Sequence, residues 1–157
     1  MSVNNTNIFT EPRDLIKALI NSNVVDPKRG RVNSPRRWIY RQIPDTTSRD
    51  FAGYPFIVIK SVEGDSNEVD LQGCTSDFEM ELEVESFVEF NDTNARVDSL
   101  SNSIYQILNS FANKKTLASQ NLHLISITAG PYDDEEIESK KVNTRKFTIT
   151  YTATIHN

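Results

Sequence analysis

The sequence predicts an α+β fold, in which two helices pack on one face of a mostly antiparallel sheet with long strands or β-hairpin extensions. Two segments show apolar residues at helical spacing, one near the N-terminus and one after residue 91. Two other segments alternate apolar and polar residues, as strands do when one face lies on a core and the other in water. A chain of 157 residues can bury one core, so we expect a single domain over residues 1–157.

The first helix is predicted to begin after Thr10, which suits an N-cap, and to end at about Ser22. Pro12 is tolerated in the first turn because the amides there have no partner within the helix. The apolar stripe of this helix consists of Leu15, Ile16, Leu19 and Ile20. Residues 23–50 then form a long loop, which is usually functional or mobile, with room for a further strand around Trp38.

The first strands are predicted on either side of a turn. Residues 54–59 form an apolar run that begins near a proline, which is permitted at a strand start. Residues 63–76 contain glycines and small polar residues, which favour a turn. Residues 77–90 alternate apolar and acidic side chains with two exceptions, Ser86 and Phe87, and this pattern predicts a strand with one solvated face.

A second helix is predicted after Asn91 and Asp92, either of which can cap it, and it is expected to end at about Asn113. Its apolar stripe consists of Val97, Leu100, Ile104, Ile107, Leu108 and Phe111. Lys114 and Lys115 then follow at its C-terminal end, where positive charge opposes the helix dipole favourably.

Two further strands complete the predicted order α-β-β-α-β-β. Residues 122–128 form a short strand that Gly130 and Pro131 are expected to end, and residues 133–138 form an acidic loop. Residues 142–155 alternate again, with threonines on one face.

The two alternating strands are long for a domain of this size. Fourteen residues extend about 46 Å, whereas a 157-residue domain has a radius of gyration of about 15 Å. Such strands extend past the core, bend around it, or pair with another subunit. The alternative is that a bulge divides each into two ordinary strands.

Little in the sequence supports catalysis. The available histidines are His123, within a predicted strand, and His156, next to the C-terminus, and Cys74 lies in a turn without a nearby histidine. The acidic strand face is solvated, so it does not offer one desolvated and one solvated carboxyl group for acid–base work. Phosphate-binding motifs are absent. We therefore expect a protein that is not an enzyme.

The sequence gives no sign of a cofactor, a metal site or a membrane partner. Cys74 is the single cysteine, and residues 133–136 lack the alternating ligands and turn glycine of a calcium loop. No apolar run approaches the ~20 residues of a membrane helix, and the first residues do not form a secretory signal. These features suit folding in a reducing cytoplasm.

Charge is distributed unevenly along the chain, although the net charge is only −5. Residues 1–60 carry ten Lys and Arg against five Asp and Glu, and the remaining residues carry seven against seventeen. Such a molecule can pair its basic part with the acidic part of a neighbour, although both parts can also be ordinary solvated surface.

The basic charge is concentrated in a segment that also contains aromatic residues. Its members are Lys28, Arg29, Arg31, Arg36, Arg37, Trp38, Tyr40 and Arg41. Arginines with aromatics can bind a nucleic-acid strand, but the sequence pI of about 5.1 is low for a dedicated nucleic-acid domain. We favour contact with carboxylates of a protein neighbour, which the acidic strand face offers in a symmetric assembly.

Taken together, these features resemble one protein family. They are a short N-terminal helix, the aromatic pair Trp38 and Tyr40, an apolar strand at residues 54–59, and a long alternating strand followed directly by a helix with Val97 and Leu100 on its stripe. In this order the chain is similar to the tail terminator, or tail completion, proteins of long-tailed bacteriophages of the siphovirus type. The resemblance covers most of the chain and rests on pattern and length.

The resemblance implies a structural virion protein and no enzyme. Family members form a ring, commonly a hexamer, that caps the tail tube, stops its polymerisation and provides a docking surface for the head connector. The expected partners are further copies of the chain, the tail tube protein and a head-connector or neck protein, with DNA only as passing cargo. The expected location is the head-proximal end of the virion tail, after synthesis in the host cytoplasm.

Two hypotheses about surfaces follow. The first places Arg29, Arg31, Arg36, Arg37, Trp38, Tyr40 and Arg41 against a neighbouring subunit or an axial partner. The second places Glu79, Glu81 and Glu83 toward a central channel, where negative charge would keep passing DNA from sticking. The alternatives are another head–tail neck or minor tail component, a small nucleic-acid-binding module that uses residues 28–41, and an enzyme with an unrecognised site.

Overall fold

A computed structural model describes residues 2–4, 6–28, 38–68, 75–90 and 94–156, and it confirms the α+β fold. The elements are α1 (Glu11–Asn23), β1 (Ile39–Tyr40), β2 (Phe56–Glu68), β3 (Thr75–Glu89), α2 (Asn94–Asn109), α3 (Phe111–Ala118), β4 (His123–Ile137) and β5 (Lys140–His156). The five strands form one sheet in the order β1-β2-β3-β5-β4. All neighbouring strands are antiparallel except β1 and β2, which are parallel. The short strand β1 confirms the further strand expected around Trp38.

The three helices pack on one face of the sheet and form the main core with it. Their buried apolar residues are Ile16, Ile20, Val97, Leu100, Ile104, Leu108 and Leu117. They pack against alternate residues of the strands, among them Ile57, Ile59, Met80, Leu82, Val84, Phe147, Ile149 and Tyr151. The period-two pattern of the sequence therefore places every second strand residue in the core. Thr10 does occupy the N-cap position of α1, although its side chain makes no capping hydrogen bond.

The helix predicted to reach Asn113 is in fact two helices, so the expected number of two helices was wrong. Ser110 adopts an extended conformation between α2 and α3, and Asn113 Nδ2 donates to the carbonyl oxygen of Ile107 at 2.9 Å. The break turns the chain so that Phe111, assigned to the core stripe, is 82% exposed, whereas Leu117 is buried. Lys114 and Lys115 consequently lie within α3 instead of ending α2.

The predicted turn at residues 63–76 is also wrong in part, because β2 continues to Glu68. Gly64 pairs with Met80 in the sheet, and a Cβ at this position would lie 2.7 Å from the Cγ atom of Met80. The glycine therefore marks a close approach to a neighbouring side chain within a strand, not a turn.

Likewise, β4 continues through Gly130 and Pro131 and through the residues predicted as an acidic loop. The register shifts between Ala129 and Tyr132, and this bulge accommodates the proline on an edge strand. The turn that joins β4 to β5 is Glu138-Ser139, where both residues have positive φ (48° and 68°). Positive φ at both positions is typical of a two-residue hairpin turn.

The long central strands are continuous. The strands β3 and β5 pair without a register shift from Thr75 opposite His156 to Glu89 opposite Val142. This pairing uses all 15 residues of β3, which corresponds to a ladder about 50 Å long. The alternative of a bulge that divides each strand is therefore wrong for this pair. The cap predicted at Asn91 and Asp92 lies outside the described residues.

Candidate assembly surface

The face of the sheet opposite the helices consists of two halves with different surroundings. Over the first, which we call the covered half, Tyr54, Phe56, Val58, Phe87 and Val142 form a second buried cluster. The rings of Phe56 and Phe87 are stacked with their centroids 4.7 Å apart. The segment that precedes β2, residues 41–55, covers this cluster, with Phe51 packed against it. In the same segment, Thr46 Oγ1 donates a hydrogen bond to Glu138 Oε2 at the β4–β5 turn.

The other part, which we call the open half, is polar. Here Glu79, Glu81 and Glu83 of β3 pair with Thr152, Thr150 and Thr148 of β5. Beyond them, Ser126 and Thr128 of β4 pair with Thr150 and Thr148 and are exposed. Glu79 and Glu81 are exposed, as the alternation predicts for a solvated strand face.

The negative charge of the open half is not uniform. Glu83 lies between two lysines, with Lys60 Nζ at 3.4 Å and Lys146 Nζ at 3.3 Å from its carboxylate oxygens. Asp77 accepts a hydrogen bond of 2.7 Å from Thr154 Oγ1. Within the part of the chain that the structure describes, Glu79 and Glu81 make no ion pair. Of the three glutamates predicted to line a channel, Glu79 and Glu81 therefore carry most of the uncompensated negative charge.

Glu85 marks the boundary between the halves and is buried. Burial is the main reason that the pKa of its carboxyl group is raised, and the charge of Glu135 acts in the same direction. Lys146, Lys60 and a hydrogen bond from Thr144 act in the opposite direction. The acidic residues of β3 are therefore exposed to solvent at Glu79 and Glu81 and desolvated at Glu85.

Four members of the predicted basic segment, Arg29, Arg31, Arg36 and Arg37, lie outside the described residues. The described members have different environments. Trp38 is 1% exposed and belongs to the main core, so its side chain does not reach the surface. Tyr40 is half-buried and packs edge-to-face on Phe56. The side chain of Arg41 is 58% exposed, and its Nη2 lies 3.0 Å from Asp14 Oδ1.

The outer edge of β4 is a surface that the sequence did not predict. This 15-residue strand pairs with β5 on one side, and no other strand among the described residues pairs with its second side. Ile125 and Tyr132 on this strand are 57% and 44% exposed. Gly130 and Pro131 were interpreted as the end of the strand, and residues 133–138 as an acidic loop. For this reason a strand edge of 15 residues was not expected. The strand predicted over residues 122–128 therefore included only the first part of this edge.

The two histidines considered for chemistry lie on different strands, His123 on β4 and His156 on β5. His123 is exposed at the start of β4, and the Nδ1 of His156 lies 3.3 Å from Thr75 Oγ1. Cys74 lies outside the described residues. Within the described ranges, no three His, Cys, Asp or Glu side chains are grouped to hold a metal ion. None of the described helices is both long and apolar enough to cross a membrane.

Comparison of the sequence with protein-family models gives no match, and comparison with curated proteins gives none either.

Proposed function

We propose that this protein is a structural virion protein of the tail-terminator type, which acts by forming a ring with further copies of itself. The observation that carries the proposal is the long outer strand β4, whose outer edge pairs with no other strand among the described residues and whose exposed side chains include Ile125 and Tyr132. An unpaired strand edge is a template for association, and monomeric proteins usually protect it or keep it short. A 15-residue edge with exposed apolar side chains is therefore better suited to a subunit interface.

The opposite edge of the same sheet supports head-to-tail assembly. The strand β1 covers only Ile57 and Val58 of β2, so most of the outer edge of β2 is also unpaired among the described residues. A chain with two different open edges can form heterologous contacts, and these close into a ring when the rotation between subunits permits. The resemblance to tail terminators suggests six subunits.

In this role the ring caps the tail tube, stops its polymerisation and provides the surface on which a head-connector or neck protein docks. It lies at the head-proximal end of the tail, and DNA passes through it as cargo. The protein carries no catalytic step. The open half of the sheet is the candidate lining of the channel, since Glu79 and Glu81 are exposed there and repel phosphate.

The basic segment gives the first test of this proposal. Replacing Arg36 and Arg37 with glutamate should abolish ring formation, because it replaces two positive charges with two negative ones in a segment proposed to contact carboxylates of a neighbour. Light scattering on a size-exclusion column measures the particle mass, and circular dichroism checks that the monomer is folded. A variant that forms an intact ring would show that this segment does not contribute to the subunit contact.

A second experiment tests tube capping directly. The purified chain is added to its cognate tail-tube protein during polymerisation, and tube lengths are measured by negative-stain microscopy. We expect shorter tubes with an extra ring at one end and no further growth. Unchanged tubes, with binding to a neck protein instead, would favour another neck component, and salt-dependent retention on DNA would favour a nucleic-acid-binding module.

A further inference from the structure

We propose that residues 42–51 form a lid, which opens over the covered half of the sheet while the rest of the fold stays intact. The closed lid is held by its contact with the β4–β5 turn and keeps Phe56 and Phe87 at 0% exposure. An open lid exposes part of this aromatic cluster. The lid is a property of the single chain and does not depend on the ring proposed above.

The lid has few contacts with the rest of the molecule. All ten of its residues are exposed or half-buried, and none is fully buried. The half-buried ring of Phe51 packs edge-to-face on Tyr54 and Phe56, with centroids 5.4 and 5.7 Å away. The lid reaches a distant part of the chain through the hydrogen bond from Thr46 Oγ1 to Glu138 Oε2. A segment with so few buried contacts opens more readily than the strands beneath it.

The lid is ordered by hydrogen bonds among its own residues. Asp45 Oδ1 accepts from the Oγ1 atom of Thr47 at 2.6 Å and from its backbone N–H at 2.9 Å, and these two contacts lower the pKa of Asp45. The backbone N–H of Ser48 donates to the carbonyl oxygen of Asp45, and that of Phe51 donates to the carbonyl oxygen of Ser48. Because these contacts do not involve the sheet, they persist when the lid opens, and the lid moves as one body.

Both ends of the lid are held by contacts outside the cluster. At the first end, Arg41 Nη2 lies 3.0 Å from Asp14 Oδ1 of α1. At the second end, Lys28 Nζ donates to the carbonyl oxygen of Ala52 at 3.4 Å. Gly53 follows with a φ of 87°, a conformation that residues with a Cβ rarely adopt. Rotation of the backbone at these two ends opens the lid without breaking the sheet.

The sheet has a core of its own on the face opposite the lid. That core consists of the helices and the strand residues that face them, and it is a separate cluster from the aromatic residues under the lid. The strands β3 and β5 also pair without a register shift along the whole of β3. Opening the lid therefore costs less free energy than unfolding the chain.

Cysteine labelling tests whether the lid opens separately. In a Cys74→Ser chain, one new cysteine is placed either under the lid, as Val58→Cys, or in the main core, as Val84→Cys. Both positions are buried, with 2% and 0% exposure, so a thiol reagent reacts only when the site opens. We expect Val58→Cys to react about 100-fold faster than Val84→Cys, at a rate that low urea concentrations hardly change.

Thr46→Val tests the contact that closes the lid, because it removes the hydroxyl donor and keeps the shape of the side chain. Labelling of Val58→Cys should become about fivefold faster, as expected for the loss of one hydrogen bond, and labelling of Val84→Cys should not change. Thr128→Val is the matched control, since Thr128 is exposed on the open half, and it should change neither rate.

The urea unfolding midpoint checks that each variant is folded, and Val142→Cys, at a fully buried position of the same cluster, replaces Val58→Cys if that variant does not fold. Equal labelling rates at the two sites, with the same dependence on urea, would overturn the proposal, because the covered half would then open only when the whole chain unfolds. An unchanged rate after Thr46→Val would overturn the assigned closing contact.

Discussion

The covered and open halves of the sheet face are built on the same two strands, β3 and β5, and yet they differ completely. In the covered half, Phe87 stacks on Phe56 beneath the segment that precedes β2. In the open half, Glu79 and Glu81 stand beside threonines and face solvent. The core-facing residues are apolar from Phe78 to Val84 in β3 and from Phe147 to Ile155 in β5, whereas the covered end adds the buried polar residues Ser86 and Asn143. The difference shows that one alternating sequence pattern can supply a second core at one end and a solvated surface at the other.

The change from a solvated to a buried surface occurs between Glu83 and Glu85 of β3. The carboxylate of Glu83 contacts Lys60 and Lys146, whereas Glu85 is buried. We expect substitutions on either side of this boundary to have effects of very different size, and three predictions follow from the largest to the smallest.

The largest effect is expected for Phe87→Ala in the covered half. Removing a fully buried ring that stacks on Phe56 should lower the free energy of unfolding by about 4 kcal/mol, since both transfer and cavity costs apply. Urea unfolding measures this loss. Phe90→Ala is the matched control, because Phe90 is 54% exposed and should cost only about 0.5 kcal/mol. Equal losses for the two variants would mean that the covered half is not a second core.

An effect that depends on pH is expected at the boundary. Burial raises the pKa of Glu85 from its ordinary value of 4.5, so the native protein holds this proton more tightly than the unfolded chain does. The contribution of this group to stability is therefore present below 4.5 and is lost as the pH rises through the higher native value. Relative to Glu85→Gln, the unmodified chain should lose stability as the pH rises from about 4.5 through the raised native value.

Urea unfolding of both proteins across this range gives the comparison. The same series for Glu81→Gln corrects for the general effect of removing one negative charge from this face. A difference that grows in favour of the unmodified chain as the pH rises would contradict the prediction, because it would require a lowered pKa at Glu85.

The smallest effect on stability is expected in the open half. Replacing Glu79, Glu81 and Glu83 with glutamine should change the free energy of unfolding by about 1 kcal/mol or less, because two of these side chains are exposed and the third is partly exposed. Ring formation should be unaffected. If the face lines a channel, genome passage should be slower, and unchanged infectivity would indicate ordinary solvated surface.

Local sequence patterns predicted the fold class. The features that were missed depend on which strands pair with each other, and strand pairing joins residues far apart in sequence. Helical spacing and strict alternation identified both helical regions and the two central strands, because those signals reflect a single continuous core. Gly64 and Pro131 were interpreted as turn signals, whereas both lie within strands. A glycine can serve a close side-chain approach, and a proline is tolerated on an edge strand. Neither context can be recognised before the strand order is known.

The same limit applies to the candidate surface. The exposure of Glu79 and Glu81 followed from the alternation alone, but Glu85 is buried beside strand residues that are distant in sequence, among them Thr144 and Glu135. The aromatic residues of the basic segment were grouped with its arginines because they are adjacent in sequence. Trp38 instead packs in the main core, because it directly precedes the strand that pairs with β2.

The mass of the purified chain tests the central claim most directly. Light scattering on a size-exclusion column, repeated across protein concentrations and combined with negative-stain images of the heaviest peak, measures that mass. We predict a closed ring of several copies, with six as the expected number. A chain that stays monomeric at every concentration, both alone and with tail-tube ends, would contradict assembly through the open edges of this sheet.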